Sequence, residues 1–358
     1  MDFKKTFKNK KILITGHTGF KGSWLTVWLL QLDAKVFGIS DRIPTNPSNY
    51  EIIKKNKNLK SKFIDITNLS LIKKIIKKYQ PDFIFHLAAQ ALVKNSYDNP
   101  TRTFLSNIIG TMNILEALKN YNKKCSVVLI TSDKSYKNLE IKRGYKENDI
   151  LGGYDPYSAS KASAEIIIQS YINSFFKNKK NKVFIGIARA GNVIGGGDWA
   201  ENRLIPDCVK SWSKKQKVTI RNPEATRPWQ HVFEAIRGYL TLAKKIKQNK
   251  HLHGEAFNFG PSHKKNYNVN DVIKIFKKKW SNASWKIRRK KIFYESSLLK
   301  LNCSKAKKKL NYKSIMSFYQ TISFTAEWYR NFYLKKINMY KFSVNQISKY
   351  ENLVLKKK

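Results

Sequence analysis

Lys11-Ile12-Leu13-Ile14-Thr15-Gly16-His17-Thr18-Gly19-Phe20-Lys21-Gly22 is the stretch on which the fold turns. A short apolar run of strand length enters a glycine-rich turn, and a helical apolar segment with Trp24, Leu25, Val27 and Trp28 follows from Ser23 to Leu32. Strand, glycine turn and helix in that order form a dinucleotide fingerprint. The glycines permit a tight turn and close approach to a pyrophosphate, which the helix N-terminus then receives. The spacing is GxxGxxG rather than GxGxxG, so the flanking elements carry the reading as much as the glycines do. Gly16, Thr18, Gly19, Phe20, Lys21 and Gly22 are the expected cofactor contacts of this turn.

Outward from it, strand and helix patterns alternate. Val36 to Ile39 reads as the second strand, and Asp41 stands about 20 residues beyond the glycines, where an acid hydrogen-bonds the ribose hydroxyls of NAD. Arg42 beside it suits a 2′-phosphate, so NADP stays open, as does a plain loop role for Asp41. A strand over 62–66 places Asp65 and Ile66 on the cofactor side, and Leu69 to Tyr79 is a basic amphipathic helix. Asp82 to Leu87 runs as a strand into Ala88-Ala89-Gln90, small residues suited to a cofactor lying across strand ends. A helix over Pro100 to Asn120 carries Asn107, also placed in the cofactor set. Strands at 126–131 and 183–188 flank a helix from Tyr157 to Phe176. This alternation predicts a doubly wound parallel α/β sheet with ligands at the carboxyl ends of its strands.

The chemistry concentrates between Thr131 and Lys161. Thr131-Ser132-Asp133-Lys134 ends one strand, and Tyr157-Ser158-Ala159-Ser160-Lys161 opens the next helix. Residues four apart share a helix face, so the Lys161 ammonium is expected beside the Tyr157 phenol, lowering a pKa that starts at about 10. Ser132 is placed to hydrogen-bond the same substrate hydroxyl. Asp133 and Lys134 are surplus to a plain dehydrogenase, whereas a dehydratase needs a second acid and base.

Past Arg189 the texture changes. Residues 190–199 read as a glycine-rich loop too irregular for a core element. Arg221 and Arg227-Pro228-Trp229 bring two arginines and an indole into loop-like segments. Arginine forks suit a diphosphate and the indole a stacking role, although surface arginines with a buried Trp229 is the plainer reading. A strand and turn at 256–261 and mixed segments follow, and the tail beyond Phe332 reads as basic, with a surface helix.

Composition narrows the class. Of 358 residues 42% are hydrophobic and 13% aromatic, as in a globular enzyme. No apolar run reaches the ~20 residues of a membrane span, and Met1-Asp2-Phe3-Lys4-Lys5 leads in without a signal-peptide core. Cys125, Cys208 and Cys303 are isolated, which fits a reducing cytoplasm and no disulfide framework. His251-Leu252-His253 reads as an exposed loop, and no metal site is expected. The net charge of +46 invites a nucleic-acid reading. Its lysines, however, run the whole length alongside Asn and Ile, as a compositional bias would leave them. Runs such as 277–279, 288–291 and 307–309 read as solvated faces, so neither nucleic acid nor membrane is expected as a partner.

Taken together, the blocks resemble the extended short-chain dehydrogenase/reductase superfamily and, within it, the CDP-glucose 4,6-dehydratases. The carrying residues are Gly16 to Leu25, Ala89 to Val93, Thr131 to Lys134, Tyr154 to Ser158 with Lys161, Arg189 to Trp199, Asn202 to Asp207 and Arg221 to Val232. Residues 135–143 lack the cysteine and tryptophans expected there, and the surface is more basic than usual. Thymidine-nucleotide relatives carry glutamate at the position of Lys134, so lysine resembles the cytidine type.

The resemblance implies NAD as cofactor and a deoxysugar-forming lyase of the kind that serves lipopolysaccharide O-antigen synthesis. In that reading Tyr157 takes the O4 proton while C4 is oxidised, with Lys161 and Ser132 assisting. Lys134 removes the C5 proton, Asp133 protonates the departing 6-hydroxyl, and hydride returns to C6. Gln90, Asn192, Arg203, Arg221 and Arg227 are the implied substrate contacts. The expected domains are 1–188 for the cofactor, completed near 227–260; 189–226 with 261–345 for substrate; and 346–358 as a basic tail. Helices 100–120 and 157–176 are expected to pair in a homodimer or a dimer of dimers. A 4-epimerase, a dehydratase of another nucleotide sugar, and a basic binding protein on the same scaffold are the alternatives.

Overall fold

Period-two burial along each central strand builds the molecule. Ile12, Ile14, Phe83, Phe85, Val128 and Ile130 enter one core, whereas Leu13, Ile84, Val127, Leu129, Ile185 and Ile187 enter a second on the opposite face. A sheet apolar on both faces must be covered on both, and this one is parallel throughout. The computed structural model describes residues 2–141, 143–178, 180–262, 267–288, 299–335 and 337–357. Most of the basic run expected over 288–291 lies outside these.

The strands are β1 (Lys11–Thr15), β2 (Lys35–Ser40), β3 (Leu59–Phe63), β4 (Phe83–His86), β5 (Cys125–Ile130), β6 (Val183–Ala190) and β7 (Ala256–Phe259). Their order is β7-β6-β5-β4-β1-β2-β3. The reversal between β1 and β4 opens a crevice at the carboxyl ends, the place where such sheets bind ligands. The sheet is flanked by α1 (Phe20–Gln31), α2 (Leu69–Tyr79), α3 (Gly110–Leu118), α4 (Pro156–Tyr171) and α5 (Val232–Gln248). A helical run from Pro100 leads into α3 through a wide π turn at Leu105–Ile109, and another π turn, Ile172–Phe176, extends α4. The segment after the substrate loops thus returns to the sheet as α5 and β7.

Several local expectations need correction. β3 ends at Phe63 rather than running over 62–66. It is a polar edge strand whose Lys60 and Lys62 blunt an open edge, so its apolar signal is weak. α1 begins at Phe20, with Gly19 in extended conformation at its N-cap, not at Ser23. Residues 194–199 are buried despite their irregularity. Gly196 C=O accepts from Trp24 Nε1 at 2.7 Å and Asp198 N–H donates to the Tyr329 hydroxyl at 3.0 Å, which satisfies backbone that would otherwise need water. A Cβ on Gly196 would lie 2.1 Å from the Trp328 ring, so only glycine fits. His253 is no exposed loop residue: its ring accepts from Ile185 N–H at 2.9 Å and bonds Phe176 O at 3.1 Å.

Outside the seven-stranded sheet lie the helix Leu204–Ser213, short strand pairs at 218–220 with 285–287 and 226–227 with 267–268, and the helix Val269–Lys277. Two further helices, α6 (Phe318–Leu334) and α7 (Met339–Lys356), close the chain. The expected basic tail over 346–358 is instead helical as far as Lys356, where α7 ends. α7 docks on α1. Trp28 Nε1 donates to Glu351 at 3.0 Å, and Tyr350 is fully buried with its hydroxyl 2.8 Å from Glu234. α1 is apolar all round because the sheet covers one side and α7 another.

Candidate active site

At the carboxyl end of β5 the chain leaves its extended path and closes a 3-10 turn, Asp133–Ser135. Ser132 caps that turn: its hydroxyl accepts from Lys134 N–H at 3.2 Å and donates to Asp133 Oδ1 at 3.0 Å. The Tyr157 phenol lies near the same serine, which favours its ionised form. α4 delivers Tyr157 and Lys161 one turn apart, its start fixed by Pro156 and by Asp155, whose carboxylate accepts from Ser158 N–H at 2.9 Å. Ser132, Asp133, Tyr157 and Lys161 are all buried, and Lys134 is half-buried.

Burial lifts the Asp133 carboxyl above its ordinary range, with Lys134 and Ser132 pulling back. Its Oδ2 has no hydrogen-bond partner among the described residues. That oxygen faces Gly191, where an added Cβ would stand only 2.9 Å away and 3.3 Å from Pro228. Burial also lowers Lys161 to about 7, helped by the neighbouring Lys21 cation, and Lys21 itself falls to about 8 through burial and Arg203. The phenol behaves otherwise than the Tyr-Lys spacing suggests. Burial pushes Tyr157 up to about 12, Ser132 offsets part of this, and the Asp133 charge adds to it. A phenol removed from water loses more than Lys161, itself brought near neutrality, restores.

The glycine turn fits a dinucleotide. Gly16 has a φ of +76°, and a Cβ there would meet Ala88 N at 2.7 Å; on Gly22 it would meet Gly16 O at 2.0 Å. Gly19 caps α1 without a side chain, so the first N–H groups of the helix face the crevice. Thr18 Oγ1 donates to Arg42 C=O at 2.6 Å, fixing the loop after β2, and Phe20 packs beside Gly195. Asp41 follows β2 and Asp65 follows β3. Arg102 joins them, with Nη2 3.3 Å from Asp41 and Nη1 2.7 Å from Asp65. Ile66 C=O accepts from Asn113 at 3.0 Å, and Ala88 and Ala89 line the end of β4.

Asn107 acts as a buckle: its amide oxygen accepts from Gln90 N–H at 2.8 Å, and its NH2 donates to Ser160 at 2.8 Å. The Gln90 side chain turns into its own loop, donating to Leu92 C=O at 2.9 Å and Thr103 at 3.0 Å. Among the expected substrate contacts, Arg203 comes closest to the chemistry, within electrostatic reach of Tyr157 and Lys21, and is held by Asp198 at 2.8 Å. Asn192 borders Gly191 and its C=O accepts from Gln230 N–H at 3.1 Å. Arg227 precedes Pro228, which adjoins the Asp133 carboxyl. Arg221 is exposed and bonds Asn202 at 3.2 Å, while Trp229 is buried with its indole donating to Tyr267 C=O.

Two groups beside the site escape local reading. Glu165 and Arg189 form a buried pair beneath the Asp133 turn. The only sequence signal for the acid is that it continues the four-residue spacing of Tyr157 and Lys161. His17 bridges Ser40 at 2.9 Å and Ser61 at 2.6 Å, a contact between elements that local pattern does not reveal.

Comparison with known proteins agrees with this geometry. A family model described as GDP-mannose 4,6 dehydratase matches residues 13–325. The chain is similar to the CDP-glucose 4,6-dehydratase of Salmonella typhimurium, at 40% identity over 91% of this chain and 92% of that one. It is also 31% identical to the dTDP-D-glucose 4,6-dehydratase of Dictyostelium discoideum, over 66% of this chain and 56% of that one. Among solved structures, an epimerase of Methanothermobacter thermautotrophicus superposes with a TM-score of 0.82 at 26% identity, covering 93% of this chain and 96% of that one. The family match starts in β1 and ends in α6, well over half of the chain: the chain belongs to the GDP-mannose 4,6 dehydratase family.

Proposed function

We propose that this chain is an NAD-dependent CDP-glucose 4,6-dehydratase, converting CDP-D-glucose to CDP-4-keto-6-deoxy-D-glucose and water. The Asp133 carboxyl carries the reading. It is buried, one oxygen is held by Ser132 and the other has no partner among the described residues, and its environment favours the protonated form. A 4-epimerase works with a tyrosine, a lysine and a cofactor alone. A protonated acid and a lysine beside that pair serve loss of water.

When bound, NAD would supply the hydride acceptor for C4 and the hydride donor for C6. Gly16, Thr18, Gly19, Phe20, Lys21 and Gly22 would hold its pyrophosphate side, and Asp41, Asp65 and Ile66 its adenosine side. Tyr157 takes the O4 proton, and Ser132 and the Arg203 charge offset part of the burial that disfavours its phenolate. Lys161 lies on the tyrosine face of α4, and Ser132 hydrogen-bonds O4. Lys134 takes the C5 proton, made acidic by the new ketone, and Asp133 hands its proton to the departing O6. Lys21 and Arg203 gather positive charge that attracts a nucleoside diphosphate.

CDP-glucose deuterated at C4, incubated with the enzyme and NAD, is expected to yield a 4-keto product carrying the label at C6. Label kept at C4 in an epimerised sugar would sink this reading. Turnover of other nucleotide glucoses ahead of CDP-glucose would reassign the base. Gly191→Ala is expected to slow product formation about tenfold or more by displacing Asp133 Oδ2, since small misplacements of reacting groups cost that much. An unchanged rate would mean that Asp133 need not sit where the structure puts it.

The assembly we propose is a homodimer. Phe104, Leu105, Ile166 and Phe175 are exposed apolar residues on the helical run into α3 and on α4 with its π turn. Such a face on two adjacent helices suits a second copy of itself. Leu105→Glu combined with Ile166→Glu is expected to leave a monomer in sedimentation analysis, against a dimer for the unaltered chain.

A further inference from the structure

Beneath the site lies an ion pair that the proposed reaction does not use. Glu165 follows Lys161 by one helical turn on α4 and is fully buried, and Arg189 near the end of β6 is 3% exposed. Arg189 Nε contacts both carboxylate oxygens, at 2.9 and 2.8 Å. The same carboxylate accepts from Thr131 Oγ1 at 2.7 Å and lies 2.9 Å from Ser135 Oγ, which also contacts Ser132 C=O at 2.6 Å. Arg189 continues to the Tyr136 hydroxyl at 2.7 Å and to Glu147 C=O at 3.0 Å.

Thr131 and Ser135 bracket Ser132-Asp133-Lys134, so both ends of the turn are tied to one carboxylate. That carboxylate rides on the helix that carries Tyr157 and Lys161. A buried ion pair is a weak source of stability, because desolvating two charges offsets most of their attraction. What this pair does supply is register between two elements that local sequence leaves independent.

We propose that Glu165 is a positioning residue that holds the elimination groups, Asp133 and Lys134, in register with the oxidation groups, Tyr157 and Lys161. Adjacent carbons of one sugar are then addressed in succession without the sugar moving. This rests on the dehydratase reading. Tyr157 and Lys161 belong to α4 itself and keep their place when the tie is cut. Ser132, which serves oxidation, follows Thr131, whose N–H stays bonded to Ala188 C=O at 3.0 Å; Asp133 and Lys134 hang further out on the turn and drift.

The test is single-turnover measurement with NAD-loaded enzyme and CDP-glucose, following reduced cofactor by its absorbance and 4-keto-6-deoxy product by quenched sampling. Glu165→Gln is expected to slow elimination about tenfold or more while oxidation stays within about threefold, so reduced cofactor accumulates. Ser135→Ala, which leaves the Glu165–Arg189 pair intact, should shift the partition the same way by a smaller factor. Should Glu165→Gln strand Arg189 and fail to fold, Ser135→Ala decides alone. Equal slowing of both steps, or wild-type partition in the folded variants, overturns the proposal. Failure of the unaltered enzyme to form the 4-keto-6-deoxy sugar overturns the reaction reading instead.

Discussion

Asp133→Asn and Lys134→Ala are expected to give enzymes that oxidise the sugar and then stall. A positioned general acid or base contributes about 10²- to 10⁴-fold, so each substitution should lower product formation by roughly that factor. Asparagine fills the space of Asp133 and keeps the contact to Ser132, but it has no acidic proton to give. Alanine at 134 removes the base altogether. Oxidation draws on Tyr157, Lys161 and Ser132, which both variants keep, so reduced cofactor should build up on the enzyme while product does not. Normal elimination rates in both would end the assignment of these residues. The pH dependence has a definite sense as well. Asp133 acts as the protonated acid, with burial holding its pKa above the ordinary value. Elimination should therefore fall as pH rises through that raised pKa, and in Asp133→Asn this alkaline limb should vanish.

Acidification should weaken the fold as pH falls below about 6.5. His17 is held down to about 4 by burial, opposed by a hydrogen bond with the Ile39 backbone. His86 falls to about 3 through burial and the Lys161 charge, and His231 to about 3 through burial alone. In the unfolded chain all three take a proton near pH 6.5. As pH falls below that value the unfolded state binds protons which the folded state refuses, so stability, complete above about 6.5, declines toward the folded values. By pH 5 each histidine accounts for about 2 kcal/mol. Asp207, lifted to about 6 by burial, acts the other way, and the raised carboxyls of Asp133 and Glu147 act with it. With three histidines set against these carboxyls the expected net is a loss, felt against the roughly 5–15 kcal/mol by which domains are stable. Denaturant unfolding at pH 7.5 and pH 5 measures it. Equal midpoints would show that the imidazoles titrate in the folded chain.

The sheet and its glycine turn were legible because their causes are local. Alternating burial leaves a period in the sequence, and the close approach of Gly16 to Ala88 leaves a glycine. Ser132, Asp133, Tyr157 and Lys161 could be grouped because two of them share a helix face and two share a turn. β3 was misplaced by a few residues, since an edge strand protected by lysines sheds the apolar signal on which the reading relies. Glu165 and Arg189 could not be paired from sequence, their contact being made only once β6 and α4 stand side by side. The phenol pKa was misjudged for a related reason. The four-residue spacing shows that a cation is near but not how completely both groups leave water. The role of residues 346–358 was foreshadowed only by α1, whose apolar residues on every side call for a second cover.

That second cover has a consequence for how the protein is made. Trp28 is hydrogen-bonded to a glutamate 323 residues further along the chain. The fingerprint helix is made well before α7, the partner it waits for while all the chain between them is translated. Until then Trp28 has Phe233 of α5 against one side but nothing native on the side that Tyr350 covers. A ribosome stalled before Met339, or a message cut short there, leaves that side exposed, and such a chain is a natural client for chaperones and proteases.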